Sequence, residues 1–155
     1  MKKIIFAAFT MGVLISCKQP EARYTQNSPE IETYKSAMRD YSSANWESLK
    51  SHYADTAKVF MNALESNPKT VDQMIETDKA DATIFSSYGV QEDGEYEMVV
   101  TDDGETWVNF WGTWKGTLAE GGKTFEVPVH LTARFINGKI VKEHGYWDNS
   151  SIMMA

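Results

Sequence analysis

The stretch Arg134-Phe135-Ile136-Asn137-Gly138-Lys139-Ile140-Val141 carries the clearest fold signal in this 155-residue chain. Asn-Gly between two alternating apolar runs is the strongest short-range indication of a β-hairpin. Outward from this turn, the second half of the chain reads as long strands separated by turns that contain glycine. The predicted strands cover residues 96–101, 105–118, 123–136 and 139–148. The second of them carries Trp107, Phe110, Trp111 and Trp114 on both of its faces, so we expect both faces to be covered.

The first half of the chain has a helical period instead. Ser28-Pro29 followed by acidic residues is a helix start signal, and apolar residues then recur at spacings of three and four, as expected for one helix face. A second helix is predicted over residues 45–53, a short strand over residues 57–61, and a third helix after Thr70 as N-cap. Residues 84–88 either extend that helix or open a strand. Helices followed by strands indicate the α+β class.

This arrangement resembles the nuclear-transport-factor-2-like superfamily, specifically its SnoaL-like (polyketide cyclase-like) branch. The resemblance spans roughly residues 30–152 and rests on the order and spacing of four segments. These are residues 53–55 (Tyr-Ala-Asp), 111–117 (Trp-Gly-Thr-Trp-Lys-Gly-Thr), 134–141 and 143–148 (Glu-His-Gly-Tyr-Trp-Asp). The resemblance implies a cone-shaped, strongly curved antiparallel sheet wrapped around three N-terminal helices and a pocket, and it implies a homodimer.

The same scaffold carries isomerases, dehydratases, cyclases and proteins that only bind, so the residues must decide the function. Aligned with ketosteroid isomerase, its three catalytic positions fall on Ala37, Met61 and Leu131, which supply neither a base nor a proton donor. The acid/base aspartate of SnoaL-type cyclases falls on Gly145. The resemblance therefore argues against the usual chemistry at these positions.

The hairpin register decides which residues near Gly145 face the pocket. A two-residue turn pairs Phe135 with Ile140 and puts His144 on the face of Leu131. A three-residue loop with a bulge at Gly138 pairs Phe135 with Lys139 and puts Glu143 and Trp147 on that face instead. The family comparison favours the second register, which sends His130, His144 and Asp148 to the opposite face.

Glu143 is the candidate acid/base, with a pKa raised by an apolar pocket. The alternative is a carboxylate that pairs with Arg134 or Lys142, or that is simply solvated; a histidine is the other acid/base candidate. The predicted ligand pocket is lined by Tyr53, Met61, Trp111, Leu131, Glu143 and Trp147, although such residues are as often plain core. No metal and no cofactor is predicted, since no two of the three histidines have the i, i+4 spacing of a helical site.

The N-terminus reads as an export signal. Lys2 and Lys3 precede an apolar run over residues 4–15 that is too short to span a membrane. Leu14-Ile15-Ser16-Cys17 then resembles the bacterial lipobox, which implies cleavage after residue 16 and acylation of Cys17. Lys18 at the next position favours the outer membrane by the same resemblance. We therefore expect a signal peptide over residues 1–16, a lipidated cysteine with a flexible tether over residues 17–29, and one SnoaL-like domain over residues 30–155.

Cysteine content and net charge exclude an internal disulfide and argue against one class of binding partner. Cys17 is the only cysteine, so the domain forms no internal disulfide. The full chain has a net charge of −7, and removal of Lys2 and Lys3 with the signal peptide would leave the mature form at −9. Such an acidic chain is a poor nucleic-acid binder. Three functions remain: binding of a small apolar or amphipathic ligand at the cell envelope, an isomerase, dehydratase or cyclase with Glu143 or a histidine as acid/base, and a dimeric interaction module.

Overall fold

The computed structural model describes residues 23–155. The helices are α1 (Pro29–Ser42), α2 (Trp46–Ser51), α3 (Val71–Ala82) and α4 (Ser150–Met153). The strands are β1 (Tyr24–Thr25), β2 (Tyr53–Met61), β3 (Phe85–Val90), β4 (Glu95–Val100), β5 (Thr106–Leu118), β6 (Thr124–Ile136) and β7 (Lys139–Trp147). The predicted signal peptide and the lipobox with Cys17 lie outside the described residues. Between residues 23 and 155, no helix combines the length and the apolar character that crossing a bilayer requires.

The two long helices begin where their caps predict. The Ser28 hydroxyl accepts a hydrogen bond from the backbone N–H of Ile31, and Pro29 occupies the first turn. Thr70 and Gln73 form a reciprocal capping box at the start of α3, which satisfies two backbone donors that a helix otherwise leaves open. The three N-terminal helices of the prediction are thus confirmed.

All seven strands form one sheet in the order β1-β4-β5-β6-β7-β2, with β3 pairing separately with β5. The α+β class with a curved sheet is confirmed. One pair departs from the antiparallel prediction, because β2 runs parallel to β7. No turn joins these two strands, so hairpin geometry does not fix their relative direction. Of residues 84–88, left open above, residues 85–88 belong to β3 and Ile84 lies in the turn before it.

The helices pack on one face of the sheet and enclose the core. Helix α1 contacts β3, β4 and β5, and α3 contacts β2 and β3. The apolar stripe of α1 is fully buried at Ile31, Tyr34 and Ala37, and it meets Val108 and Phe110 of β5, which are also fully buried. These core residues all lie within residues 23–155.

The folded unit begins earlier than predicted. Tyr24 and Thr25 pair with Met98 and Val99 of β4, and the Arg23 guanidinium lies 2.6 Å from Asp102. Residues 23–29, part of the predicted tether, therefore include an edge strand and the first residue of helix α1. Their polar composition hid them, because an edge strand held by backbone hydrogen bonds needs little apolar surface.

Candidate ligand-binding site

A cavity of about 310 Å³ lies between the helices and the inner face of the sheet. Its apolar wall comes from both layers and includes Met38, Leu49 and Met74 on the helices and Met61, Val129 and Leu131 on the strands. Aromatic rings of Tyr41, Phe85, Tyr88, Trp114 and Trp147 complete the wall. Ile84, Ile152 and Met153 stand at its edge, where Ile84 and Met153 are exposed. The side chains of the described domain leave this space unfilled.

Of the residues predicted to line a ligand pocket, Tyr53, Met61, Leu131, Glu143 and Trp147 lie on the wall of this cavity. Trp111 is the exception and does not line it.

Trp111 lies on the other face of the sheet and is 43% exposed. Its neighbours Phe110 and Gly112 face inward, so strand alternation sends Trp111 outward. The tryptophan of this strand that lines the cavity is Trp114 instead. Its indole N–H donates to the Tyr41 hydroxyl at 3.1 Å.

A bulge in β7 places Glu143 inside. The turn at Asn137-Gly138 has two residues, both with positive φ, and it pairs Phe135 with Ile140. That is the first of the two predicted registers. The pairing then shifts by one residue, so that Arg134 pairs with Lys142 and Ala133 with Glu143.

Val141 is the extra residue of this shift, and it restores the inward face that the second register required. Glu143 therefore shares the cavity side with Leu131. His144 pairs with Thr132 and faces outward.

Glu143 is held by two tyrosines rather than by a basic residue. The hydroxyl of Tyr34 donates to its Oε1 at 2.5 Å, and the hydroxyl of Tyr53 donates to its Oε2 at 2.5 Å. Such short distances are typical of O–H···O⁻ bonds. Arg134 and Lys142 form ion pairs with Glu105 and Glu65 instead, so the alternative of a paired surface carboxylate is wrong.

Burial determines the proton affinities in this cluster. It raises the pKa of the Glu143 carboxyl, and the two tyrosine hydrogen bonds offset part of that rise. Burial and the adjacent carboxylate raise the pKa of the hydroxyls of Tyr34 and Tyr53 well above the usual value. Both tyrosines therefore remain protonated donors.

Asp78 of α3 is a second carboxylate on the cavity wall that the sequence analysis missed. Burial, with help from the charges of Glu143 and Asp81, raises its pKa to about 7. A signal was present: Asp78 follows Met74 by four residues and Ile75 by three, so it lies on the buried stripe of an amphipathic helix. An acid at that spacing marks a carboxylate directed toward the interior.

None of the three histidines lines the cavity. The Nε2 of His52 lies 2.7 Å from the Asp40 carboxylate, which also accepts from the Ser48 hydroxyl, so this cluster ties α1 to α2. His130 and His144 lie on the outer face. The prediction that a histidine acts as acid/base in this cavity is therefore wrong. The three positions aligned with the catalytic residues of ketosteroid isomerase belong to the apolar core: Ala37, Met61 and Leu131.

The outer face of the sheet carries a continuous row of stacked rings, called here the outer ring row: Trp111, His130, Tyr146, His144 and Phe60. Ring centroids along it are 4.8, 6.3, 6.2 and 4.7 Å apart, and interplanar angles do not exceed 24°. Trp111 and Tyr146 remain 43% and 48% exposed. Within residues 23–155, no group of three His, Cys, Asp or Glu residues is arranged to hold a metal ion.

No protein-family model matches the sequence, and no curated protein matches it either. Solved structures do match. A hypothetical protein with a ketosteroid isomerase-like fold from Catenulispora acidiphila DSM 44928, in complex with trimethylamine, is 15% identical to this chain. The match covers 79% of this chain and 90% of that protein's chain, with a TM-score of 0.63. IdmH, a putative polyketide cyclase from Streptomyces antibioticus, is 18% identical over 83% of this chain and 97% of its own, with a TM-score of 0.65.

A putative polyketide cyclase from Xanthomonas campestris pv. campestris is 11% identical over 84% of this chain and 98% of its own, with a TM-score of 0.64. At these identities the likeness concerns the fold alone. Agreement over nearly the whole length of each neighbour, together with the helices packed on a curved sheet around a cavity, gives one conclusion. The described domain has the nuclear-transport-factor-2-like fold.

Proposed function

We propose that this SnoaL-like domain binds a small apolar or amphipathic molecule in its cavity. The observation that carries the proposal is the unfilled, mostly apolar space of about 310 Å³ with a few polar groups on its wall. Ligand sites have this composition, and their volumes begin at about 300 Å³. Among the structural neighbours, one holds trimethylamine, which supports the use of this fold for holding small molecules.

The test is native mass spectrometry of residues 18–155 purified gently and compared with the denatured protein. A co-purifying small molecule is the expected result. Val129→Trp fills the cavity and should remove that molecule, whereas Ile136→Trp, on the exposed part of the same strand, should retain it. A ligand that survives in Val129→Trp, or its absence from the parent protein after exposure to small-molecule extracts of the host, would contradict the proposal.

The binding domain is proposed to act at the cell envelope, anchored through Cys17 in the outer membrane. The support is the export signal, the lipobox over residues 14–17 and Lys18 after it. Mass spectrometry of the mature N-terminus should find residues 1–16 removed and Cys17 acylated. Cys17→Ala should release the protein from the membrane fraction, and an unprocessed, unmodified N-terminus would refute the anchoring.

An enzyme of the isomerase, dehydratase or cyclase type is a second candidate. It is favoured by the two carboxylates on the cavity wall, Glu143 and Asp78. Burial raises the pKa of both carboxyl groups, that of Asp78 to about 7, which suits proton transfer by Asp78 near neutral pH. Glu143→Gln should then retain the ligand found by mass spectrometry and lose its turnover. Absence of turnover in the parent protein, with that ligand bound, would remove this candidate.

A homodimer through the outer ring row is the third element of the proposal. Its support is the exposure of Trp111 and Tyr146 within a flat array of rings, since aromatic residues are enriched in interfaces. Sedimentation of residues 18–155 should give a dimer, and Trp111→Lys should give a monomer that melts like the parent. Ile136→Lys is the matched control on the exposed sheet and should stay dimeric. A parent protein that is monomeric at high concentration would contradict the dimer.

A further inference from the structure

The charged groups on the cavity wall all have the same sign. They are Asp78 and Asp81 of α3 and Glu143 of β7, and no lysine, arginine or histidine of the described residues joins them there. None of the ion pairs among the described residues includes any of the three. Within residues 23–155, these carboxyl groups therefore have no basic side chain beside them on the cavity wall.

Asp78 is the acid best placed to meet a ligand. Glu143 already accepts hydrogen bonds from two tyrosines at the inner wall, and Asp81 is exposed at the edge. Asp78 is partly buried, and the charges of both Glu143 and Asp81 act on it. The cation that acts on it is Lys69, whose ammonium donates to the Thr77 hydroxyl and does not line the cavity.

Aromatic rings share the cavity wall with this carboxylate. Burial raises the pKa of the Tyr41 and Tyr88 hydroxyls, and the charge of Asp78 is the next cause. At Tyr53, burial and the neighbouring Glu143 are the larger causes of a raised pKa, and Asp78 adds to them. Tyr41 packs edge-on against Tyr88, with ring centroids 5.5 Å apart, and Trp114 adds a further ring to the same wall. Faces of such rings attract cations.

We propose that the cavity takes an amphipathic organic cation, in which an ammonium group pairs with Asp78 beside the tyrosine rings and an apolar body fills the remaining space. The inference rests on the proposed binding function and adds the charge of the ligand to it. An anionic ligand of the same shape would place its charge against three carboxylates, and a neutral one would leave Asp78 without a counter-ion.

The experiment compares three probes of nearly equal size, each added to residues 18–155 at pH 8: 4-phenylbutylamine, 4-phenylbutan-1-ol and 4-phenylbutyrate. Binding is followed by calorimetry and by the fluorescence of the cavity tryptophans Trp114 and Trp147. The amine should bind at least about tenfold more tightly than the alcohol, in keeping with a desolvated cation on aromatic faces and a carboxylate. The carboxylate probe should bind worst.

Two variants locate the charge. Asp78→Asn should remove the preference for the amine over the alcohol while leaving alcohol binding intact. Glu76→Gln removes one charge from the same helix at a residue that faces solvent and contacts Lys79, so it should keep the preference. A preference that survives in Asp78→Asn overturns the proposal.

The probe set separates this inference from the binding function on which it rests. If the alcohol or the carboxylate binds as tightly as the amine, the cation inference is overturned and the binding function stands. If none of the three binds, both fail for molecules of this size. A further readout is pH: between pH 6 and pH 8 the amine stays protonated while Asp78, facing Asp81, Glu143 and Lys69, becomes ionised, so amine affinity should rise about tenfold and alcohol affinity should not.

Discussion

Asp78→Asn should make this domain more stable at pH 8. The pKa of Asp78 rises from 3.8 to about 7 on folding, so the folded state holds its proton more tightly than the unfolded state. Because a tenfold change in proton affinity corresponds to about 1.4 kcal/mol, ionisation costs the fold at most about 4 kcal/mol. Partial exposure at the cavity screens the charge, so we expect a gain of about 2–4 kcal/mol from the asparagine.

The sign of the pH dependence follows from the same shift. Below pH 4 both states are protonated and the penalty is absent; it develops as the pH rises from about 4 toward 7 and is complete above that. Urea unfolding of parent and variant at pH 8 and pH 4.5 measures it, and most of the difference between the two proteins should disappear at the lower pH. Glu76→Gln is the control and should change the free energy of unfolding by less than about 0.5 kcal/mol at either pH. Equal or lower stability of Asp78→Asn at pH 8 would show that the carboxylate is not penalised and would refute the reasoning.

Glu143→Leu should have the opposite effect, a loss of about 2–4 kcal/mol in urea unfolding, because it leaves the buried hydroxyls of Tyr34 and Tyr53 without an acceptor; unchanged stability would contradict the assigned bonds. Gly145→Ala places a methyl group 2.5 Å from a methionine sulfur of the cavity wall, so calorimetry should find weaker ligand binding with only about 1–3 kcal/mol of lost stability; unaltered affinity would count against the site. Deleting Val141 removes the bulge of β7 and turns the following residues to the wrong face, so circular dichroism should find an unfolded chain, and a native-like spectrum would argue against the register.

The fold could be predicted from the sequence where local chemistry and long-range pattern agree. Ser28 and Thr70 mark helix starts through their own hydroxyls, and Asn137-Gly138 marks the hairpin by its positive φ angles. Strand β1 and the parallel pairing of β2 could not be found this way, because backbone hydrogen bonds to distant strands leave no periodic trace in the sequence.

The candidate site was only partly predictable for related reasons. The side of the sheet on which Glu143 lies depends on the extra residue Val141. A valine at that position does not predict a bulge. Trp111 and Trp114 have the same side chain but odd spacing, so one faces the solvent and the other the cavity. Asp78 was overlooked because an acid on a helix usually faces water.

Strand β1 also limits how far this domain can travel. Arg23 is held by its backbone carbonyl to the N–H of Val100 and by its guanidinium to Asp102. If Cys17 carries the proposed lipid, only the chain between Cys17 and Arg23 bridges bilayer and domain, a reach of about 20 Å even when fully extended. A domain of this size is about 35 Å across, so the tether would be shorter than the diameter of the domain. Such a short tether would keep the β1–β4 edge of the sheet near the lipid surface. The domain would then sample only a thin layer above that surface and would meet its partners by diffusion in two dimensions.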